Sequence, residues 1–185
     1  MSPADLSAAL RDPREWTVED LAELPDGRYE LVDGRLLVVP PGQLLHEYAA
    51  LELAALLRAA APPGIAVLGP AGTAFARSYR VPDVLVVRRD GMSDWSSYVA
   101  PVAAVVLAVE VMSPASVTDD RLVKPHTYAA AGIGHFWRFE PAEEALFAYR
   151  LAGAVYTEVA VARRQEVLRL TEPFPVELTP AALLP

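Results

Sequence analysis

Two unbroken apolar runs in the middle of the chain predict buried β-strands, and each run carries one acid near an end. In residues 79–87, Asp83 precedes four consecutive apolar positions. Pro82 fixes the backbone before this acid but cannot donate to a central ladder. Residues 102–111 form the second run, with Glu110 close to its end. A carboxylate at the end of a buried strand is costly unless it is paired, protonated or bound to a cation.

Regular patterns on both sides of these runs predict a hairpin and two helices. Residues 28–40 alternate around Asp33-Gly34, a dipeptide that takes the positive φ angles of a tight turn. Residues 44–61 carry Leu and Ala at helical spacing and end at a Pro-Pro-Gly sequence. A second helix is predicted to begin near residue 120 or 125 and to end at Gly132. The predicted apolar face of the first helix is formed by Leu45, Tyr48, Ala49, Leu53, Leu56 and Leu57.

Shorter elements complete the prediction. Residues 17–24 indicate a short helix that is capped by Thr17. Residues 88–101 indicate a loop with one helical turn. The remaining predicted strands are residues 65–68, 73–77, 135–139, 145–150, 155–160 and 166–170.

In chain order the central elements are helix, strand, strand, strand with Asp83, strand with Glu110, helix and strand. This order predicts a mixed sheet flanked by helices, an α/β domain at the border with α+β, with an N-terminal hairpin and extra C-terminal strands. We predict three parts: residues 1–27 as an N-terminal extension with a short helix, residues 28–172 as the domain, and residues 173–185 as a proline-rich C-terminal tail.

The composition is that of a globular protein outside the membrane. Apolar residues make up 53% and charged residues 22% of the chain, and no apolar run approaches the ~20 residues of a membrane span. The first fifteen residues mix charged with small residues, so no secretory signal is expected. With no cysteine, disulfides and thiolate metal sites are excluded. We therefore expect a cytoplasmic protein.

The charge of the chain limits how it could bind nucleic acid. A formal net charge of −8 argues against bulk coating of DNA, so any contact with DNA is expected to be local. Of the 16 basic residues, all but Lys124 are arginines. A compact ammonium handles protons and phosphates differently from a guanidinium, although a single lysine can also remain by chance.

Five segments in this order resemble a widespread bacterial family named "putative restriction endonuclease", a branch of the PD-(D/E)XK nuclease superfamily. The resemblance covers about residues 29–180 and implies an αβββαβ restriction-endonuclease-like core that cleaves DNA with Mg²⁺ or Mn²⁺. It implies that Pro82-Asp83 is the PD element and Glu110 the acid of the (D/E)XK element. The segments are residues 29–34, 81–83, 109–114, 124–132 and 135–137.

The two acids suit a hard divalent ion on chemical grounds. Mg²⁺ binds through one or two carboxylates and keeps water ligands, so Asp83, Glu110 and the Val111 carbonyl could hold it. Such an ion lowers the pKa of a bound water and offsets charge on a phosphodiester. The alternative is that both acids are strand-end residues satisfied by backbone N–H groups or by an arginine such as Arg80.

The sequence departs from the superfamily pattern at the motif lysine. Met112 stands two residues after Glu110, where the motif has Lys. The resemblance implies that the lysine has moved to the following helix, as Lys124. Pro125 follows it where related sequences usually carry an apolar helix former, which predicts a kink next to Lys124.

Glu30 and His46 are the other candidate site residues. Glu30 either points toward the metal or pairs across strands with Arg35 or Arg28. His46 either carries a proton or binds phosphate, or makes only local hydrogen bonds at the start of its helix. Other polar and aromatic residues are interpreted as non-catalytic: Tyr128, Trp137 and Phe139 as core, and His126 and His135 as lacking a metal-site spacing.

The leading hypothesis is a Mg²⁺-dependent endonuclease acting on DNA. Asp83 and Glu110 bind the metal, Lys124 steadies the water or the phosphate, and Glu30 and His46 assist. One alternative is a nuclease-fold protein that no longer cuts and serves as a binding or assembly module, which would be favoured if Lys124 pointed to solvent. A weaker alternative is a hydrolase of small phosphate esters. A homodimer is expected because two-fold pairing suits duplex DNA.

Overall fold

Thirteen strands in three sheets and two α-helices form the part of the chain that the computed structural model describes, residues 15–114 and 116–185. The helices are α1 (Leu44–Ala60) and α2 (Lys124–Ala130). The strands are β1 (Tyr29–Val32), β2 (Arg35–Val38), β3 (Ile65–Leu68), β4 (Gly72–Phe75), β5 (Ser78–Arg80), β6 (Val84–Arg88), β7 (Val99–Pro101), β8 (Val105–Val111), β9 (His135–Glu140), β10 (Ala145–Ala152), β11 (Val155–Arg163), β12 (Leu168–Leu170) and β13 (Val176–Leu178).

A six-stranded mixed sheet is the centre of the molecule. Its strand order is β11-β10-β9-β8-β6-β3, in which β8 and β9 are parallel and all other neighbours are antiparallel. The parallel pair is joined by α2, as parallel neighbours require a crossover. The order α1, β3, β6, β8, α2, β9 confirms the predicted αβββαβ core.

Helices cover this sheet on both faces, which explains the unbroken apolar runs. Val84 and Val86 of β6 face α1, whereas Leu85 and Val87 face the side of α2. All four side chains are fully buried. The face of α1 that packs on the sheet is formed by Ala49, Ala50, Leu53, Ala54 and Leu57.

The predicted apolar face of α1 is partly wrong. Leu45 and Tyr48, which were assigned to it, are exposed. Helical spacing alone could not choose between two apolar stripes, because Leu and Ala occupy most positions of this helix. Within the described ranges, no helix is long and apolar enough to cross a membrane.

A five-stranded sheet, in the order β2-β1-β5-β4-β7, contains the predicted N-terminal hairpin. Asp33 and Gly34 have φ angles of 50° and 77° between β1 and β2, as expected for this dipeptide. The predicted loop over residues 88–101 holds its helical turn, but Val99–Pro101 also forms β7, parallel to β4.

The predicted strand over residues 79–87 is two strands that belong to different sheets. β5 pairs with β1 and β4, and β6 pairs with β3 and β8. The chain changes sheet at residues 81–83, where Pro82 has no N–H for a ladder and the Val81 N–H donates to the carboxylate of Glu30 instead. Asp83 therefore lies at the junction of the two sheets.

The start of the strand with Glu110 and the short N-terminal helix also differ from the prediction. Residues 102–104 form a 3₁₀ turn, so the strand with Glu110 begins only at Val105. The short helix predicted over residues 17–24 is a 3₁₀ helix (Glu19–Glu23). The prediction that the Thr17 side chain caps it is wrong, because Thr17 donates through both its N–H and its hydroxyl to Asp20. Residues 1–14 of the predicted N-terminal extension lie outside the described residues.

Residues 173–185 form part of the core, in contrast to the predicted tail. β13 pairs with β12, and a 3₁₀ turn (Pro180–Leu183) follows it. Phe174, Leu178 and Leu183 are buried in the same cluster as the inner face of α1. The prolines indicated irregular backbone, but they carried no information about which side chains this segment buries.

A π-helical turn (Asp119–Val123) runs directly into α2. Pro125, the second residue of α2, has no N–H for the helical bond to residue 121, and a π turn is a common way to absorb such a break. The predicted irregularity next to Lys124 is therefore present. Gly132 ends the segment with a φ of 77°, as predicted.

The burial of the C-terminal segment has a measurable consequence. We expect Leu183→Ala to lower the free energy of unfolding by about 2–5 kcal/mol, because its side chain is fully buried. The matched control is Leu122→Ala at a side chain that is 67% exposed, with an expected change within about 0.5 kcal/mol. Urea unfolding followed by circular dichroism measures both. Equal midpoints would contradict the packing of this segment.

Candidate active site

A cavity of about 550 Å³ lies at the junction where Asp83 leaves one sheet for the other. Both helices, β1, β2, the end of β8 and the residues just before β6 contribute to its wall. Four of the five predicted catalytic residues line it, namely Glu30, His46, Asp83 and Lys124, together with the predicted metal ligand Val111. The fifth, Glu110, lies directly behind Lys124.

Asp83 is held by contacts from three different elements. Its Oδ2 accepts hydrogen bonds from the N–H of Val111 at 2.8 Å and from Nε2 of His46 at 3.1 Å. Its Oδ1 lies 3.8 Å from the guanidinium of Arg28. Burial raises the pKa of this carboxyl, but the hydrogen bond and charge of His46, the charge of Lys124 and the Val111 N–H outweigh burial and lower it. Asp83 is therefore ionised.

Glu110 is the most deeply buried acid of the cluster. Its Oε1 accepts a hydrogen bond from the Tyr128 hydroxyl at 2.6 Å, and its Oε2 accepts one from Lys124 Nζ at 2.7 Å. Burial raises the pKa of Glu110 well above its ordinary value, and the nearby carboxylates of Asp83 and Asp120 add to the rise that Lys124 opposes. A cation in the site would oppose this rise and favour the ionised form of Glu110.

Lys124 points into the cluster, with a side chain that is 12% exposed. Its ammonium lies between Glu110 Oε2 at 2.7 Å and Asp120 Oδ1 at 2.8 Å. Burial lowers the pKa of this amine, but these two carboxylates outweigh it and raise the pKa well above the ordinary value. Lys124 is therefore a fixed cation, able to donate and to attract but not to accept a proton.

Glu30 is buried, but the predicted cross-strand pairing with Arg35 or Arg28 is wrong. Glu30 Oε2 accepts a hydrogen bond from Arg80 at 2.7 Å and Oε1 accepts one from the Val81 N–H at 2.9 Å. The partner comes from β5 because β5, and not only β2, pairs with β1.

Arg80 contacts neither of the two acids that it was suggested to satisfy. Besides Glu30, its guanidinium donates to Asp119 at 3.2 Å. The side chain is fully buried, and a buried cation requires such carboxylate partners. Arg80 therefore joins β1 to the turn that precedes Lys124.

His46 makes a long-range contact from the first turn of α1. It donates from Nε2 to Asp83, 37 positions further along the chain. Its Nδ1 is buried without a hydrogen-bond partner among the described residues and lies 3.6 Å from Glu47. The hydrogen bond to Asp83 raises the pKa of His46 more than burial lowers it. The alternative interpretation, in which His46 makes only local hydrogen bonds, is therefore wrong.

Sequence reasoning missed two contributions to the site. Asp120 holds Lys124 and accepts a hydrogen bond from Ser116, and the spacing Asp120 to Lys124 was a readable helical i, i+4 pair. Tyr128 was interpreted as core, and it is fully buried, but its hydroxyl also fixes Glu110. No periodicity signal distinguishes a buried tyrosine that binds an acid from one that only packs.

The comparisons with known proteins agree with this architecture. The sequence profile of the Uma2 family, described as "Putative restriction endonuclease", matches residues 17–184. The chain belongs to the Uma2 family. The resemblance carried by the five sequence segments is thereby confirmed. No match is found among curated proteins.

A solved structure shares the fold of this Uma2 family member. It is a crystal structure of "a putative nuclease belonging to DUF820" from Anabaena variabilis ATCC 29413. The two chains are 18% identical and superpose with a TM-score of 0.73, over 90% of this chain and 96% of the other. The likeness confirms the predicted restriction-endonuclease-like arrangement of helices and mixed sheet.

The donor set fits a hard divalent cation. Within the described ranges, no three His, Cys, Asp or Glu side chains are grouped to hold a metal ion. The predicted ligand set has only two carboxylates and adds the Val111 carbonyl. Each carboxylate oxygen has two lone pairs, so Glu110 can keep its bonds to Lys124 and Tyr128 and still bind a cation. A divalent cation would favour the ionised form of Glu110, which burial and the neighbouring carboxylates oppose.

The coupling of His46 to Asp83 predicts an unusual histidine titration. In metal-free buffer we expect His46 to titrate above 6.5 in the wild type and at a lower pH in Asp83→Asn, because the negative charge that favours the imidazolium is lost while burial remains. NMR of the imidazole carbons, assigned with His46→Gln, measures this. Asp90→Asn, at an exposed side chain, is the matched control.

The pKa shifts of His46 and Asp83 determine how the stability of the fold changes with pH. A raised His46 pKa stabilises the fold at low pH, and this contribution is lost as pH rises through the raised value. A lowered Asp83 pKa stabilises it at higher pH, and this contribution is lost as pH falls through the lowered value. A His46 resonance that titrates below 6.5 in the wild type would refute the ion pair.

Proposed function

We propose that this protein is a Mg²⁺- or Mn²⁺-dependent endonuclease that hydrolyses phosphodiester bonds of DNA. The observation that carries the proposal is that Asp83 and Lys124 line one cavity and are connected through contacts to Glu110 and its neighbour Val111. Lys124 binds Glu110 directly at 2.7 Å, and Asp83 binds the N–H of Val111, the residue after Glu110, at 2.8 Å. Membership of the Uma2 family supports the nuclease class.

Asp83, Glu110 and the carbonyl of Val111 would hold the metal. A bound divalent ion supplies an activated water and neutralises negative charge on the phosphate. The chain's part is to keep Asp83 ionised, which the His46 and Val111 hydrogen bonds favour. The carboxylates that are crowded together in the site favour the binding of a positive charge.

Lys124 would contact the scissile phosphate or orient the attacking water. Its fixed positive charge suits both tasks and excludes a role as general base. Asp120 holds the ammonium in the cavity when no phosphate is present. The lysine thus occupies the role that Met112 leaves open on β8.

His46 and Glu30 would assist from opposite sides. The raised pKa favours the protonated form of His46, which can give a proton to the leaving oxygen. Glu30 acts through its ion pair with Arg80, which also contacts Asp119 beside Asp120. Glu30 is therefore proposed as a positioning residue.

Binding of DNA is proposed to be local and two-fold. The net charge of −8 disfavours extended contact with the phosphate backbone. A homodimer suits the symmetry of duplex DNA and stays a prediction, as does the cytoplasmic location. Lys124 in solvent would have favoured the inactive-module alternative, and the burial of Lys124 between two carboxylates removes that support.

Metal binding tests the proposal without any substrate. We expect the wild type to bind Mn²⁺ in calorimetry and Asp83→Asn to bind it at least about 10-fold more weakly, since changes at metal sites cost 10- to 100-fold or more. Asp90→Asn makes the same substitution at an exposed carboxylate and is expected to bind as the wild type does. Equal affinity in wild type and Asp83→Asn would exclude the proposed metal site.

Cleavage of plasmid DNA tests the role of Lys124. With Mg²⁺ or Mn²⁺ we expect Lys124→Met to cleave about 100-fold more slowly or worse, because a fixed donor to the developing charge is lost. Its Mn²⁺ affinity is expected not to fall, since a competing cation is removed. Arg121→Met, next to the same turn but paired with Glu140, is the control. Wild-type rates in Lys124→Met would remove Lys124 from the mechanism.

A further inference from the structure

Helix α1 has a second apolar stripe on the side that faces away from the sheet. Leu44, Tyr48 and Leu51 are 90%, 38% and 68% exposed. Their spacing of four and three residues places them on one face of the helix, and exposed Ala55 and Ala59 continue the same face. An apolar face of this kind on a surface helix marks an interaction site.

The stripe changes in size along its length. Its first half is bulky, with Leu44 and Tyr48, and its second half is small, with Ala55 and Ala59. Two identical helices that run antiparallel and cross near Leu51 bring the bulky half of each against the small half of the other. A parallel pairing would instead place bulky against bulky and leave a gap between the small halves.

The charges along α1 favour the same arrangement. Glu47 lies beside the first half of the stripe and Arg58 beside the second, and both are exposed. Antiparallel pairing brings Glu47 of one copy toward Arg58 of the other, and it also opposes the two helix dipoles. Parallel pairing would instead put both Glu47 side chains at one end of the seam and both Arg58 side chains at the other, with no opposite charges near each other. Within one copy Glu47 also lies 3.7 Å from Arg28, and Arg58 donates to the Val67 carbonyl at 3.4 Å.

We propose that α1 is the homodimer interface of this protein, paired antiparallel with α1 of a second copy about a two-fold axis near Leu51. The occupant is a second copy because the stripe is complementary to itself in both size and charge, as an isologous interface requires. The inference does not depend on nuclease activity. His46 in the first turn of α1 connects the interface to the candidate active site.

The expected dimer is reversible. A helix of 17 residues is about 26 Å long, so one helix seam buries less than the ~800 Å² per partner of a standard stable interface. We therefore expect dimers at high protein concentration and monomers on dilution.

Sedimentation velocity over a concentration series tests the interface. We expect Leu51→Glu to remain monomeric at concentrations where the wild type is dimeric. Leu122→Glu, at a side chain that is 67% exposed and not on α1, is the matched control and is expected to dimerise as the wild type does. Circular dichroism verifies folding. A wild type that is monomeric at all concentrations, or a Leu51→Glu protein that dimerises normally, would overturn the proposal.

Cysteine cross-linking tests the orientation, because the chain contains no cysteine. We expect Leu51→Cys to form a disulfide-linked dimer under mild oxidation, since the two copies of this residue meet at the axis. Leu44→Cys and Ala59→Cys are each expected to stay uncross-linked alone and to cross-link when mixed. Cross-linking of Leu44→Cys with itself would indicate parallel helices and overturn the proposed arrangement. Absence of a disulfide in Leu51→Cys would place the interface elsewhere.

Discussion

The buried carboxylate of Glu110 is the constraint on which the site depends. An acid at this depth is costly unless a cation and hydrogen-bond donors reach it. β8 cannot supply the cation, since Met112 stands where the next inward-facing side chain would be. The segment after β8 must therefore return across the end of the sheet and deliver Lys124 and Tyr128 to the two oxygens of Glu110.

The π turn and the polar residues around it follow from that requirement. Lys124 has to reach back from a helix that Pro125 interrupts, and Asp120 one turn earlier shares the charge of the ammonium. Arg80 then fixes the neighbouring Asp119 to Glu30 on the other sheet. The two sheets and α2 are thus joined through charged groups, and also through the apolar cluster that Ala100 of β7 shares with Leu85 and Tyr128.

The order of elements was predictable from the sequence because local signals agreed. Asp33-Gly34, the apolar runs and Gly132 each specify local backbone within a few residues. The two acids could be proposed because each stands near an end of an apolar run. Lys124 could be proposed because it is the only lysine and because the family resemblance implies a lysine on this helix. The partner of Glu30 could not be predicted, because Arg80 lies 50 positions away and meets it only through the pairing of β1 with β5.

Other differences between the prediction and the structure also arise from tertiary contacts. A continuous apolar run does not reveal that it serves two sheets, and Pro82 marked the break without showing where the chain goes next. The C-terminal prolines suggested a tail, whereas Phe174 and Leu183 are buried by packing against α1. Which apolar stripe of α1 faces inward was likewise decided by the sheet and not by the helix.

The solitary lysine makes the candidate site addressable by isotope labelling. All other basic side chains are arginines, so the ε-amine of Lys124 is the one side-chain amine of the 185-residue chain. Incorporation of isotope-labelled lysine therefore gives a single side-chain ammonium signal. Because this amine is buried, ion-paired and protonated, the isotope label reports on it where amine reagents would not react. The protein therefore carries its own reporter group inside the cavity, without any mutation.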